Sequence, residues 1–503
     1  MSAREHSLRT LLAGLVDAPA GIDIRDVVSD SRRASDGALF LALSGGSHHG
    51  LDFARAVVEQ GARAIVYEGP HAAPAAVAPS VFVAPVENLR ERAGTIASRF
   101  FDDPSASLSV AGITGTNGKT TCAWLLSQAL SRCGRRAAYS GTIGVGFPGS
   151  LAASSHTTPD AVELQRQLAE LRDQGAECVA MEVSSHALDQ HRVNAVRFAI
   201  AAFTNLTRDH LDYHGSMEAY GSAKSRLFAM AGIATCIINI DDRFGAALAG
   251  GIDTGKLVAT SRLSRSSRGR FVCGKSAHAL SNGLAIEIDS SWGAALLRVP
   301  LIGDFNVDNV LTVLAILLAW DIPLQNAVAA LAECHAPPGR METIDGGRAA
   351  PLAIIDYAHT PDALGKALRT ARTHCRGALH VVFGCGGDRD RGKRPIMGQL
   401  AGELADRVTL TDDNPRNEDP ARITADILAG LGSTPADVIH DRAAAIAAAI
   451  GRSVSGDVVL VAGKGHEDYQ IYGSERRVFR DQDAVRAALD ARPANRPGAE
   501  CLP

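Results

Sequence analysis

The chain has no C-x-x-C pair in its 503 residues, although it carries nine cysteines. An odd, scattered set of thiols argues against a disulfide framework and fits a reducing compartment. A long apolar run is also missing. The longest, near residues 310–320, falls well short of the roughly 20 residues needed to cross a bilayer. At the N-terminus, the only apolar cluster is at residues 11–16, and no small-residue cleavage site accompanies it. No secretory signal is read there, and a soluble, cytoplasmic protein is expected. Charge of one sign is lacking too: 51 Lys+Arg against 55 Asp+Glu leave a net −4. That balance argues against a broad nucleic-acid-binding face but permits a local basic pocket. No repeat with a period of 20–50 residues is evident.

What is present is a globular balance, 46% hydrophobic and 21% charged, in a chain long enough for about three domains. Residues 1–105 read as strand 38–43, helix 52–60, strand 64–67, a surface loop at 71–80 and helix 87–100. Asp102-Asp103-Pro104-Ser105 breaks that pattern. Residues 106–338 alternate strands (108–113, 178–181, 198–203, 236–240) with helical stretches, the rhythm of a parallel sheet with crossover helices. A polar insert at 261–291 reads as short antiparallel strands, and 306–320 as a strong helix. After Pro337-Pro338-Gly339, residues 339–503 resume the α/β rhythm, with strands at 352–355, 379–383, 407–410 and 458–461 and a frayed tail after about 490.

Gly115-Thr116-Asn117-Gly118-Lys119-Thr120-Thr121 follows a strand and opens a helix. Glycines there let backbone N–H groups face phosphate oxygens, and the helix N-terminus adds positive potential. Lys119 would reach the β/γ-phosphates of a nucleotide, and the Thr120 hydroxyl would ligate Mg²⁺. The usual spacing asks for glycine at 113, where Ile113 stands, with Gly112 one residue early. A plain glycine-rich turn is the alternative.

Glu182 follows the strand at 178–181, where a carboxylate would point into the ligand crevice of a parallel sheet and suit Mg²⁺. His210 lies in a loop with Asp209, Asp212 and His214 and reads as a metal ligand or an orienting group. Lys224 sits on a helix expected over 216–230, and spacing alone makes it a solvated side chain. Asn306 and Asn309 begin a helix, where capping is the plain reading, and Arg340 follows the Pro-Pro-Gly linker, from which it could reach a nucleotide. Four polar loops follow four strands of the last block: Asp356 to Pro361, Gly384 to Asp390, Asp413 to Arg416 and Gly463 to Glu467. Their arginines favour an anionic group, since a guanidinium pairs with carboxylate.

GTNGKTT, MEVSSHALDQHRV, TNLTRDHLDYHG, GDFNVDN, PGRME, DYAHTPD, GCGGDRDRGKRP, DDNPR and GKGHEDYQ occur in order. Together they resemble the Mur ligases, and within them the type that adds 2,6-diaminopimelate to UDP-N-acetylmuramoyl-L-alanyl-D-glutamate. The resemblance covers about residues 29–470, and the family's phosphate loop has the shorter glycine spacing seen here. It implies an α/β fold of three domains: a smaller N-terminal α/β domain (1–105) for the UDP substrate, a central P-loop ATPase (106–338) and a C-terminal Rossmann-like domain (339–503) for the amino acid.

By the same resemblance, Ser29, Ser31, Gly46, Ser47 and His48 contact the uridine nucleotide. Thr157, Thr158, Ser184, Gln190 and Arg192 hold the muramoyl-dipeptide, with His156 where some relatives carry asparagine. Lys224 matches a lysine that the family carbamylates, and would join Thr120, Glu182 and His210 around metal. Asn306, Arg340 and Asp356 would seat ATP with residues 115–121. Arg389, Asp413, Asn414, Pro415, Arg416, Gly463 and Glu467 would form the diaminopimelate pocket, Arg416 pairing with the carboxylate that lysine lacks. The expected partners are small molecules alone, with no nucleic acid and no membrane insertion, and the chain is expected to be a monomer. A lysine-adding relative, a folylpolyglutamate-synthase-like ligase and a nucleotide-binding regulatory module are the alternatives.

Overall fold

The computed structural model describes residues 5–492 apart from 47, 70, 72–79, 155, 281 and 348. Ser47 and most of the loop expected at 71–80 therefore lie outside the described residues. Two compact units result. The first comprises residues 1–260, 266–271 and 315–321, and the second 261–265, 272–314 and 322–503.

Besides the two-stranded pair His6–Ser7 and Asp23–Ile24, the described residues of the first unit form two larger sheets. In the smaller one, Asp26–Val28, Ala38–Ala42, Ala64–Glu68 and Phe82–Val86 run parallel in that order. Ala38–Ala42 (ALFLA) is buried at every position, the pattern of a strand covered on both faces. In the larger one, Ala137–Gly141, Cys178–Glu182, Ser109–Thr114, Phe198–Phe203, Thr235–Asn239 and Leu257–Ser261 run parallel in that spatial order. Ser109–Thr114, which feeds the phosphate loop, is thus central.

The helix Ala161–Asp173 contributes side chains to the cores of both sheets. Leu39, Ile96 and Phe100 pack with Ala161, Val162 and Ala169 of the helix Ala161–Asp173. That helix is capped by Asp160, whose side chain accepts from the Val162 and Glu163 N–H groups. Asp160 also accepts from Ser29 Oγ at 3.0 Å, and Arg166 donates to Asp26 at 2.8 Å.

The second unit carries an antiparallel meander, Arg270–Leu280, Gly283–Ser290 and Gly293–Val299, longer than the short strands expected. Its main sheet is ordered Glu342–Asp345, Leu352–Asp356, Val458–Ala462, Leu379–Phe383, Arg407–Leu410 and Ala436–Val438, parallel after the first strand. Because four adjacent strands share a direction, the loops after 356, 383, 410 and 462 emerge at one sheet edge, where open α/β sheets bind ligands. Among the described residues no helix is long and apolar enough to cross a membrane.

Candidate active site

The phosphate loop is held from below by the segment that follows the next strand. Thr116 N–H donates to Asn205 O at 2.8 Å, Asn117 N–H to Asn205 Oδ1 at 3.0 Å, and Thr204 Oγ1 to Asn117 O at 2.6 Å. Gly115 has φ +148°, and a side chain there would fall 1.9 Å from Thr204 Oγ1, so only glycine fits. The helix Lys119–Arg132 follows directly. Lys119 Nζ donates to the carbonyls of Gly115 and Thr116, both at 2.8 Å, which folds it over the loop.

Glu182 is the last residue of its strand and is fully buried. Its Oε2 accepts from Thr120 Oγ1 at 2.9 Å and Thr142 Oγ1 at 3.2 Å. Its Oε1 accepts from Thr142 N–H at 2.9 Å and from the Tyr139 hydroxyl. A side chain at Gly141 would fall 2.2 Å from Oε1, so the carboxylate seats against bare backbone. Tyr139 and Thr142 escaped the sequence reading because neither lies in a motif.

These hydroxyl and carboxylate oxygens suit Mg²⁺, which takes oxygen ligands and keeps waters and substrate phosphates. Among the described residues no group of three or more His, Cys, Asp or Glu is assembled for a metal. A cation completed by phosphate and water does not need one.

Lys224 overturns the solvated side chain that spacing suggests. It is 1% exposed near the end of the helix Met217–Ser225, and its Nζ donates to Gly115 O at 2.7 Å. Burial, with the Lys119 ammonium as a second cause, brings its pKa down to about 6. His210 is half-exposed at φ +52°, its ring 4.9 Å from that of His186.

The expected dipeptide and uridine contacts gather in the same unit. Thr158 Oγ1 donates to Glu182 O at 2.9 Å and accepts from Ser184 N–H at 3.1 Å. Thr157 Oγ1 lies 3.1 Å from Thr142 Oγ1. Arg192 donates to Thr158 O at 2.7 Å and to Gln190 Oε1, also at 2.7 Å. Ser184 also caps the helix Ser185–Asp189. A cavity of about 390 Å³ is lined by Ser29, Arg32 and His156. A second, of about 120 Å³, is lined by Ser29, Gln190 and Arg192. Gly46 borders a third with Gln190. Ser31 opens the single-turn helix Ser31–Arg33, and His48 lies 3.8 Å from Asp52.

In the second unit Asn306 is buried, donating to Ile302 O at 2.7 Å and accepting from Asn309 at 2.8 Å. Asp356 accepts from Met341 N–H at 2.8 Å, and desolvation raises its pKa. The Arg340 guanidinium lies 5.2 Å from the Tyr357 ring centre. The four loops at the sheet edge do converge. Arg416, at φ +54°, donates from Nη1 to Gly387 O at 2.9 Å and pairs its backbone with Ile471 and Gly473. Asn414 Nδ2 donates to Glu467 Oε2 at 2.8 Å. Asp413 is buried, and desolvation raises its pKa. Gly463, at φ +116°, leaves room where a side chain would come 2.6 Å from Asp413 Oδ2. Arg389 is exposed and Pro415 buried. The sequence reading gave no role to Lys464, whose ammonium is fully buried 3.1 Å from Glu467 Oε2.

Residues 23–101 match "Mur ligase family, catalytic domain", residues 113–317 "Mur ligase middle domain" and residues 339–465 "Mur ligase, glutamate ligase domain". A Chromobacterium violaceum protein named UDP-N-acetylmuramoyl-L-alanyl-D-glutamate--2,6-diaminopimelate ligase is 48% identical over 477 residues, 94% of this chain and 95% of its own. A Coxiella burnetii protein of the same name is 44% identical over 486 residues, 95% of this chain and 99% of its own. A solved structure with that name superposes at TM-score 0.73 and 36% identity, covering 97% of this chain and 99% of that one. Folylpolyglutamate synthase of Mycobacterium tuberculosis shares the fold at TM-score 0.55 and 17% identity, over 74% of this chain and 92% of its own. With three such segments in order, and relatives this similar along nearly the whole length, the chain belongs to the Mur ligase family.

Proposed function

We propose that this chain is an ATP-dependent ligase of peptidoglycan precursor synthesis. It joins meso-2,6-diaminopimelate to the D-glutamate γ-carboxylate of UDP-N-acetylmuramoyl-L-alanyl-D-glutamate. The observation that carries this reading is the convergence of Arg416, Asn414 and Glu467 at one sheet edge, in a chain whose 44–48% identical relatives bear that name.

The γ-carboxylate attacks the γ-phosphorus of ATP, giving an acyl phosphate and ADP. The neutral amine of diaminopimelate then attacks the acyl carbon, phosphate leaves, and the amine proton is lost to solvent. The protein contributes position and charge neutralisation. Residues 115–121 cradle the phosphates, with Lys119 releasing its carbonyl partners to meet them. Asn306, Arg340 and Asp356 seat the nucleotide. Mg²⁺, when bound, offsets charge on the transferring phosphoryl group, held by Thr120 and Glu182 together with His210 and carbamylated Lys224. A neutral amine is what CO₂ requires, and the lowered pKa of Lys224 supports that modification.

Ser29, Ser31, Gly46, Ser47 and His48 bind the uridine nucleotide, and His156, Thr157, Thr158, Ser184, Gln190 and Arg192 the muramoyl-dipeptide. Arg416 and Arg389 take carboxylates of diaminopimelate, Glu467 takes an ammonium, and Asp413, Asn414, Pro415 and Gly463 shape the pocket. The three domains 1–105, 106–338 and 339–503 carry these tasks in turn, in a cytoplasmic monomer.

The test is phosphate release from ATP with the UDP-dipeptide present, comparing meso-diaminopimelate, L-lysine and no amino acid. Release with diaminopimelate alone supports the reading. Release with lysine keeps the ligase and overturns the role of Arg416. Release independent of any amino acid overturns ligation.

A further inference from the structure

The diaminopimelate pocket contains a buried cation to which the proposed function gives no task. Lys464 follows the strand Val458–Ala462 and is fully buried. Its Nζ donates to Glu467 Oε2 at 3.1 Å and to Asn414 Oδ1 at 3.2 Å, and stands 5.5 Å from the Tyr469 ring centre. Asn414 Nδ2 donates to the same Glu467 oxygen at 2.8 Å, and Asn414 Oδ1 also accepts from Ile471 N–H at 3.0 Å. Three side chains therefore close a ring of hydrogen bonds.

The ring decides two orientations. Asn414 must present its oxygen to two donors, so its amide cannot turn over. Glu467 Oε2 is taken by two donors, which turns Oε1 to whatever enters the pocket. Volume alone does not require this lysine: an apolar side chain of the same size would fill the space, though it would leave the Glu467 carboxylate without its cation. Charge does require it. Asp413 and Glu467 repel one another in a desolvated pocket, and Lys464 is the leading cation opposing the effect of burial on Asp413.

We infer that Lys464 is a positioning residue for the incoming amino acid, holding Glu467 and Asn414 so that Glu467 receives a substrate ammonium. The inference rests on the diaminopimelate reading. Lys464 touches no reacting atom and acts through Glu467.

The experiment is steady-state phosphate release by the full chain, with a double-mutant cycle. Lys464→Met raises KM for meso-diaminopimelate by about 30-fold, the worth of a charge-assisted hydrogen bond, while KM for ATP stays within about twofold. In a Glu467→Gln background the same substitution costs no more than about threefold, because the group it acts through is already altered. Lys464→Gln keeps a donor without the charge and carries the same comparison if the Met variant does not fold. Equal losses for ATP and diaminopimelate, or the same fold-loss in both backgrounds, overturn the inference while leaving the ligase reading intact. A wild-type chain without diaminopimelate-dependent release overturns both.

Discussion

The ammonium groups of Lys119 and Lys224 converge on one acceptor, the carbonyl oxygen of Gly115, at 2.8 and 2.7 Å. Two full charges on one carbonyl repel, and burial makes Lys224 the one to yield its proton, at a pKa of about 6. Lys119 is left as the cation of the phosphate loop.

The stability consequence has a definite sign. The folded pKa of Lys224 lies below its ordinary 10.5, so the unfolded chain binds this proton more readily. The unmodified lysine therefore costs nothing above pH 10.5, costs more as pH falls, and reaches its full penalty below about pH 6. In CO₂-depleted buffer, Lys224→Met should raise the thermal midpoint, more at pH 6 than at pH 9. Calorimetry at the two pH values checks this.

The same lysine carries a prediction on turnover. Lys224→Ala should lower kcat by at least about 100-fold, with partial recovery on adding a short carboxylic acid in place of the lost carbamate. Wild-type turnover in that variant would exclude a functional carbamate.

Glu182 sits among four donor contacts from Thr120, Thr142 and Tyr139. Glu182→Gln turns an amide NH₂ toward donors and removes a charge from the proposed cation site. A fall in kcat of about 10²–10³ is expected, with a higher Mg²⁺ concentration for half-maximal rate. A Mg²⁺ titration of phosphate release reads both. An unchanged Mg²⁺ requirement would leave Glu182 as a purely structural carboxylate.

Arg416→Ala should raise KM for diaminopimelate by roughly 10- to 100-fold while leaving KM for ATP unchanged, since one charge-assisted pair is lost. Parallel losses for both substrates would point instead to the Gly387 O contact and loop collapse.

Arg442 and Asp481 form a fully buried pair with contacts of 2.7 and 2.8 Å. Asp481→Ala strands a buried guanidinium and should destabilise the fold by about 3–5 kcal/mol. Arg442→Met with Asp481→Leu should recover most of that loss. Urea unfolding of the three variants checks the order.

The strands at 109–114, 198–203, 379–383 and 458–462 were legible because buried parallel strands are short, continuous apolar runs between turn signals. The phosphate loop was legible because backbone–phosphate contact demands glycine and a helix start within a few residues. The motifs in order were enough to reach the family. The helix expected over 216–230 is shorter in the structure. It ends at Ser225 and continues as the tight turn Arg226–Ala229, a change of hydrogen bonding that side-chain periodicity does not register.

Burial and partnership were decided only in three dimensions. Lys224 looks solvated on its own helix, and becomes a buried, nearly neutral amine only when Gly115 of the phosphate loop is placed against it. Tyr139 and Thr142 acquire meaning only through the parallel register that sets their strand beside Cys178–Glu182. Lys464, 50 residues from Asn414 in the chain, joins it because their strands, which flank Leu379–Phe383, run parallel and end at one sheet edge. Local sequence dictates conformation and chemistry type, since both depend on a few neighbouring residues. Desolvation and charge pairing depend on atoms brought from far along the chain, and only the tertiary structure supplies them.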